Sequence, residues 1–177
     1  TDEVVLRSMD SDIASFRPKK KISEETALQR LESLCAAGEH CRHQLLEKLR
    51  KWGMFPDECD RILDSLGKRR FFDDSRFASA FVRDKLLYNK WGRMKISIAL
   101  KAKRIPAEVI DEAFDGIDEE EYEEVAREFL MAKARGVKEG NTYEGRTKLY
   151  RAGLSRGFES SLVARIVKSP STWGEDS

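Results

Sequence analysis

Between Arg83 and Arg104 the chain sets eight cations, Arg83, Lys85, Lys90, Arg93, Lys95, Lys101, Lys103 and Arg104, against the single acid Asp84. Side chains of this kind, at this density, bind anions: phosphate oxygens or the carboxylates of an acidic protein surface. From Glu108 to Glu128 the sign reverses, with eleven acids against the single base Arg127. A formal net charge of +1 therefore hides two opposed blocks. Residues suited to bond-breaking chemistry are fewer. The two histidines, His40 and His43, flank Cys41; three such donors suggest a metal, yet neighbours in sequence splay on a helix and no fourth ligand follows at zinc-like spacing. Polar positions at a helix start are their expected role. The run Asp118-Glu119-Glu120-Glu121, with Glu123 and Glu124, offers carboxylates for a metal or a general acid. Asp118 suits an N-cap, however, with Glu121 in the capping-box position and the others opposing the helix dipole. No glycine-rich phosphate loop precedes a helix. A non-enzymatic protein with no metal or cofactor is expected.

The cations need helices to carry them. Asp73 and Asp74 start one, because carboxylates take up free backbone N–H groups and oppose the positive end of the dipole. Phe77, Ala78, Phe81, Val82 and Leu86 then fall on one apolar stripe of 3.6-residue period, opposite Arg76, Arg83, Asp84 and Lys85. A turn at Trp91-Gly92 leads to a strongly basic second helix. Trp91 suits stacking on a base, anchoring a protein contact, or filling the junction between helices. Ile98 lies off the stripe of Ile96, Ala99 and Leu100, so this helix is either buried on two faces or shows an apolar strip to a partner.

Upstream the same plan appears. Ser23 caps a helix running to Ala37 with Gly38 as its stop; a second, from about Cys41 to Trp52, ends at Gly53; Pro56 opens a third. A shift of 51 residues superposes Leu31 on Val82, Leu45 on Ile96, Leu49 on Leu100, Met54 on Ile105, Cys59 on Ile110 and Leu66 on Ile117. A further 53 sets Ile96 on Leu149, Ile105 on Phe158, Ile110 on Val163 and Ala113 on Ile166; the third unit's first helix needs 48 instead, so about five extra residues sit in the loop 136–142. The expected fold is all-α: three tandem three-helix repeats, each too small to bury its apolar face alone, forming an elongated, curved body. The divisions are a mobile basic tail over 1–22, repeats over 23–69, 70–117 and 118–169, and a C-terminal tail over 170–177. The second helix of every unit is basic, with Arg42, Lys48, Arg50 and Lys51 in the first and Arg146, Lys148 and Arg151 in the third. These helices either line one positive stripe or are solvated faces balanced by acids of the following helix, such as Glu108 and Asp111 against Lys101 and Arg104.

Charged residues make up 37% of the 177, well above an average domain, so the surface is strongly ionic. No apolar run reaches a membrane span and no signal-peptide pattern is present, so a soluble, cytoplasmic protein is expected. Cys35, Cys41 and Cys59 lack the number and spacing of a disulfide framework or zinc site; Cys35 and Cys59 are read as small core residues.

Two stretches resemble a known family. Phe72-Asp73-Asp74-Ser75-Arg76-Phe77-Ala78-Ser79-Ala80-Phe81-Val82-Arg83, then Lys90-Trp91-Gly92-Arg93-Met94-Lys95-Ile96, Leu100 and Lys103-Arg104-Ile105, is similar to the central signature of the RecX family. Glu39-His40-Cys41-Arg42-His43-Gln44-Leu45, with Lys48-Leu49 and Gly53, resembles its first-repeat motif, with Cys41 where serine is usual. The resemblance runs from about Thr26 to Lys168 and is weakest in the last third. It implies a helical-repeat protein that binds the nucleoprotein filament of the bacterial recombinase RecA, lies along its groove, and restrains filament growth, ATP hydrolysis and strand exchange. It also implies a contact set of Arg42, Arg76, Arg83, Lys85, Lys90, Arg93 and Lys95, although Arg76 is also within reach of Asp73 or Asp74. Lys101, Lys103 and Arg104 join these on charge. A stand-alone DNA- or RNA-binding module is the alternative, and a monomer is expected.

Overall fold

The protein is described by a computed structural model covering residues 22–175. The basic tail read over 1–22 lies outside that range except for its last residue. Two compact units divide the chain, Thr1–Phe71 and Phe72–Ser177. All regular structure among the described residues is helical, as expected.

The first unit holds α1 (Glu24–Ala37), α2 (Arg42–Lys51) and α3 (Pro56–Lys68). Ser23 starts α1 by accepting a hydrogen bond from the Thr26 N–H at 3.1 Å. At α2, Gln44 reaches back to accept from the Cys41 N–H at 3.2 Å, which secures a donor that the helix itself leaves unmatched. Ala27, Leu31, Leu45, Leu49, Cys59, Ile62, Leu63 and Leu66 form the core. Each buried leucine or isoleucine contributes about 1.5–3 kcal/mol relative to exposure.

The second unit holds α4 (Asp74–Leu87), α5 (Arg93–Ala102), α6 (Ala107–Asp115), α7 (Glu119–Ala134), α8 (Tyr143–Ser155) and α9 (Ser160–Lys168). Asp73 caps α4 by accepting from the N–H groups of Ser75 and Arg76 at 2.8 and 3.1 Å. Asp118 caps α7, accepting from the Glu121 N–H. Pro170–Trp173, within the stretch read as a tail, winds into a 3-10 turn fixed by Thr172 donating to the Ile166 carbonyl and Trp173 to that of Val167.

The internal repeat extends to its turns. Met54, Ile105 and Phe158, which the shifts of 51 and 53 place in register, donate their N–H groups to the carbonyls of Leu49, Leu100 and Gly153. The preceding residue, Gly53, Arg104 or Gly157, stands each time in the left-handed region, at φ 77°, 60° and 98°. This is the Schellman ending, in which a left-handed residue turns the chain back over the last carbonyls and an apolar residue seals the turn. Met54, Ile105 and Phe158 are all buried, completing the seal. In the extended loop of the third repeat, Arg146 bonds Asn141 and Lys148 pairs with Glu139, so two of that repeat's cations serve its own loop.

The cysteines differ from expectation in two respects. Cys59 is buried as read, but Cys41, taken for a helix-start polar residue, is fully buried, and Cys35 is only half-buried. Cys41 stands four residues before Leu45 and eight before Leu49, so it shares the buried side of α2 with them. Burial pushes the Cys59 thiol above its ordinary pKa, which suppresses the reactive thiolate. An aromatic disulfide reagent at pH 8 is expected to titrate Cys35 first in the native protein, with Cys41 and Cys59 reacting at the rate of unfolding.

Candidate interaction surface

The turn between α4 and α5 aims the cations of repeat two, and that turn is held from repeat three. Helix α5 is preceded at its N-cap by Gly92, which has no side chain to cap it. Its first donors go elsewhere: the N–H groups of Gly92, Arg93 and Met94 reach the Arg156 carbonyl at 3.0 Å, the Tyr122 hydroxyl at 3.0 Å and the Gly157 carbonyl at 2.9 Å. Tyr122, 1% exposed on α7, donates in turn to Glu159 at 2.8 Å. Burial pushes the Tyr122 phenol well above its ordinary pKa, and the neighbouring Glu159 carboxylate adds to this. Arg156 grips the other side of the turn, its guanidinium bonding the carbonyls of Asn89 and Lys90. The backbones touch at Gly92 and Gly157: a Cβ at Gly92 would lie 2.3 Å from the Gly157 carbonyl, closer than any real contact.

Against this frame the expected contact residues fall into groups. Lys85, Lys95 and Lys103 converge on two aromatic rings. The Lys85 ammonium lies 5.5 Å from the Phe81 ring centre and 5.1 Å from that of Trp91, Lys95 lies 4.6 Å from Trp91, and Lys103 lies 5.7 Å from Phe81. Each cation–ring contact is worth about 0.5–1 kcal/mol at an exposed site, enough to gather three positive charges that would otherwise repel. Trp91 thus fills the junction, one of the roles its position allowed, where it is half-buried, and its ring also gathers Lys85 and Lys95, which the sequence had not indicated.

Arg83, Lys90 and Arg93 instead face the acids of α7. Arg83 lies 4.0 Å from Glu121 and Lys90 2.9 Å from Glu128. Arg93 pairs with Glu119 and Glu159 while its guanidinium stacks 3.8 Å above the Tyr122 ring. Only 26% of the Arg93 side chain is exposed, so it is first a part of the joint. The balancing acids come from α7 and from Glu159 at the start of α9, where α6 had been expected to supply them; α4 packs on both α6 and α7, and it is the α7 carboxylates that lie within reach of Arg83 and Lys90. Glu121, cast as a capping-box partner, turns toward Arg83 instead. Lys101 and Arg104 are exposed at the end of α5, and among the described residues neither forms an ion pair with Glu108 or Asp111. Arg76 is exposed in the first turn of α4, its N–H held by Asp73.

In the first unit, Arg42 lies 3.9 Å from Asp60. His40 Nδ1 sits 2.9 Å from the Gly38 carbonyl and His43 faces Glu47 at 3.8 Å, so the two rings have separate partners. Among the described residues, no three histidine, cysteine or acidic side chains are grouped as metal ligands. No helix among them is long and apolar enough to cross a membrane.

Tyr122, Arg156, Gly157 and Glu159 were not singled out from the sequence. One signal was available: Tyr122 leads the buried stripe Tyr122, Val125, Ala126, Leu130, and a tyrosine inside a core needs a partner for its hydroxyl.

Comparison with known proteins places this architecture. A family model described as "RecX, second three-helix domain" matches residues 73–113, the span of α4 to α6. Regulatory protein RecX of Clostridium botulinum (strain Alaska E43 / Type E3) is 33% identical over 127 residues, covering 71% of this chain and 59% of that relative. This chain therefore spans less than two thirds of that relative's length. Regulatory protein RecX of Chromohalobacter salexigens is 35% identical over 134 residues, covering 76% of this chain and 86% of its own. The crystal structure of RecX from Lactobacillus salivarius superposes with a TM-score of 0.74 at 16% identity, over 82% of this chain and 94% of that one, a likeness of fold. With three-helix repeats in this order and a relative of that identity matched over most of its length, the chain belongs to the RecX family of regulatory proteins.

Proposed function

We propose that this protein is a non-enzymatic regulator that binds the RecA nucleoprotein filament and restrains its growth, ATP hydrolysis and strand exchange. The observation that carries the reading is the cluster of Lys85, Lys95 and Lys103 around Phe81 and Trp91, in the repeat that matches the family model. Ammonium groups fixed on ring faces lose little further side-chain entropy on binding, so the cluster is prepared for an anionic partner. Repeated helical units also allow several weak contacts to act together along a filament, raising avidity without a deep pocket.

The double reversal Lys85→Glu with Lys95→Glu tests this. Inhibition of recombinase ATPase on single-stranded DNA is expected to require at least about tenfold more protein, with helical content unchanged; each charge in a complementary interface is worth about that factor or more. Undiminished inhibition by a folded double variant removes the cluster from the contact set. Reversal at Arg93 is a poor test, because a third carboxylate beside Glu119 and Glu159 breaks the joint instead.

A second reading, direct nucleic-acid binding, draws on the same cluster, since an indole among lysines is also how single strands are held. Salt titration on bare single-stranded DNA separates the two: direct binding falls with a log–log slope of about −0.7 per phosphate neutralised.

A further inference from the structure

Arg104 occupies a position that its two counterparts give to glycine. At the same point of the Schellman turn stand Gly53 and Gly157, while Arg104 holds φ 60°. Left-handed backbone crowds the Cβ of an L-residue and leaves glycine untroubled. Lys90, also left-handed at φ 56°, is held there by the fold: its ammonium pairs with Glu128 and its carbonyl accepts from Arg156. Arg104 has no such support. Its side chain is exposed and, among the described residues, makes no hydrogen bond, ion pair or ring contact. Helix α5 needs no further cation at its negative end either, with Lys101 and Lys103 already there. The Schellman turn fixes the backbone of Arg104, as it fixes that of Arg70 at φ 58° after α3; what points to a contact outside the chain is an exposed arginine kept at α5's end where both counterparts have the unstrained glycine.

The rest of that helix face indicates the kind of contact. Met94 and Ile98 are 59% and 69% exposed, and with Lys101 they fall within about 60° of arc at 100° per residue. Ile98, ambiguous by sequence, is thus an exposed apolar strip. A phosphodiester backbone gains nothing from methionine and isoleucine, whereas a protein surface buries them and meets the flanking cations with carboxylates.

We propose that Met94, Ile98 and Lys101 of α5, with Arg104 at its left-handed end, form a docking face for a protein surface with an apolar centre and an acidic rim. This rests on the filament reading above and assigns the face to a recombinase subunit, leaving DNA in the filament to other contacts.

The full chain and its Arg104→Gly, Ile98→Ser and Met94→Ser variants are melted and then co-sedimented with recombinase filaments on single-stranded DNA, and separately with that DNA alone. Arg104→Gly is expected to melt about 2–4 °C higher and to bind filaments about tenfold more weakly, a typical cost of truncating an interface arginine. Ile98→Ser and Met94→Ser are expected to weaken filament binding severalfold with unchanged melting, and none of the three to alter binding to bare DNA. Wild-type affinity for filaments in all three variants overturns the docking face while leaving the filament reading intact. Parallel losses on bare DNA overturn it in favour of a phosphate contact, and an unchanged melting temperature in Arg104→Gly removes the strain on which the inference begins. A wild-type chain that fails to sediment with filaments ends both readings together.

Discussion

Gly92→Ala is expected to destabilise the 72–177 unit by about 3–5 kcal/mol, combining an overpacked contact with lost hydrogen bonds. The backbone of Gly92 is ordinary, at φ −81°, so the effect is one of space. The new methyl would lie 2.3 Å from the carbonyl carbon and oxygen of Gly157 and 2.4 Å from the Phe158 nitrogen, all backbone atoms that no rotamer change can move aside. Relief requires the turns of repeats two and three to separate. Separation breaks the Gly92-to-Arg156 and Met94-to-Gly157 bonds and strands the first donors of α5, which has no capping side chain to replace them. Urea unfolding followed by circular dichroism measures the loss. Gly38→Ala is the control, since nothing lies within 4 Å of its Cβ position. A change at Gly92 below about 1 kcal/mol, the size of an ordinary surface substitution, contradicts the close joint described here.

Tyr122→Phe is expected to cost about 2–3 kcal/mol, because one hydroxyl accepts from the Arg93 N–H and donates to Glu159, and both partners lose a bond in a half-buried site. The substitution removes one oxygen and leaves the ring, so its contact with the Phe158 ring at 5.8 Å remains. The pH dependence identifies the mechanism. Burial holds the folded-state pKa of Tyr122 above that of the unfolded chain, which is about 10. The fold thus favours the protonated phenol, and the stability this confers is complete below about pH 10 and declines as pH rises through the folded-state value. The gap in unfolding free energy between wild type and Tyr122→Phe should hold from pH 7 to 9 and narrow above about pH 10. Because exposed lysines titrate equally in both proteins, the difference isolates the phenol. A gap independent of pH to 11 shows that the hydroxyl does not sit in the desolvated position described.

The helices were legible in the sequence because their causes are local. Ser23, Asp73 and Asp118 cap the helices they were expected to cap, and Pro56 opens α3. The repeat was legible for a related reason. Burial at a fixed helical phase recurs wherever a unit must hide the same stripe, and Leu31 with Val82, Leu45 with Ile96 and Leu49 with Leu100 are buried in register. The family followed from two motifs in order.

The candidate surface was only half legible. Charge counts showed that repeat two is basic but not which cations would be occupied. Arg83, Lys90 and Arg93 look equivalent to Lys85 and Lys95 along the chain, yet the first three meet carboxylates of α7 while the others gather on Trp91. Their assignment depends on residues 26 to 38 positions away, brought close by the docking of α7 on α4.

The sequence alone thus determined the helices, their three-fold repetition and the sign of each charge, since propensity, capping and burial period act within a few residues. Tertiary structure decided which charges are left to bind. Pairing energies fall off within a few ångströms, and the docking of α7 on α4 together with the approach of Gly92 to Gly157, with Tyr122 between Arg93 and Glu159, fixes which atoms come that near.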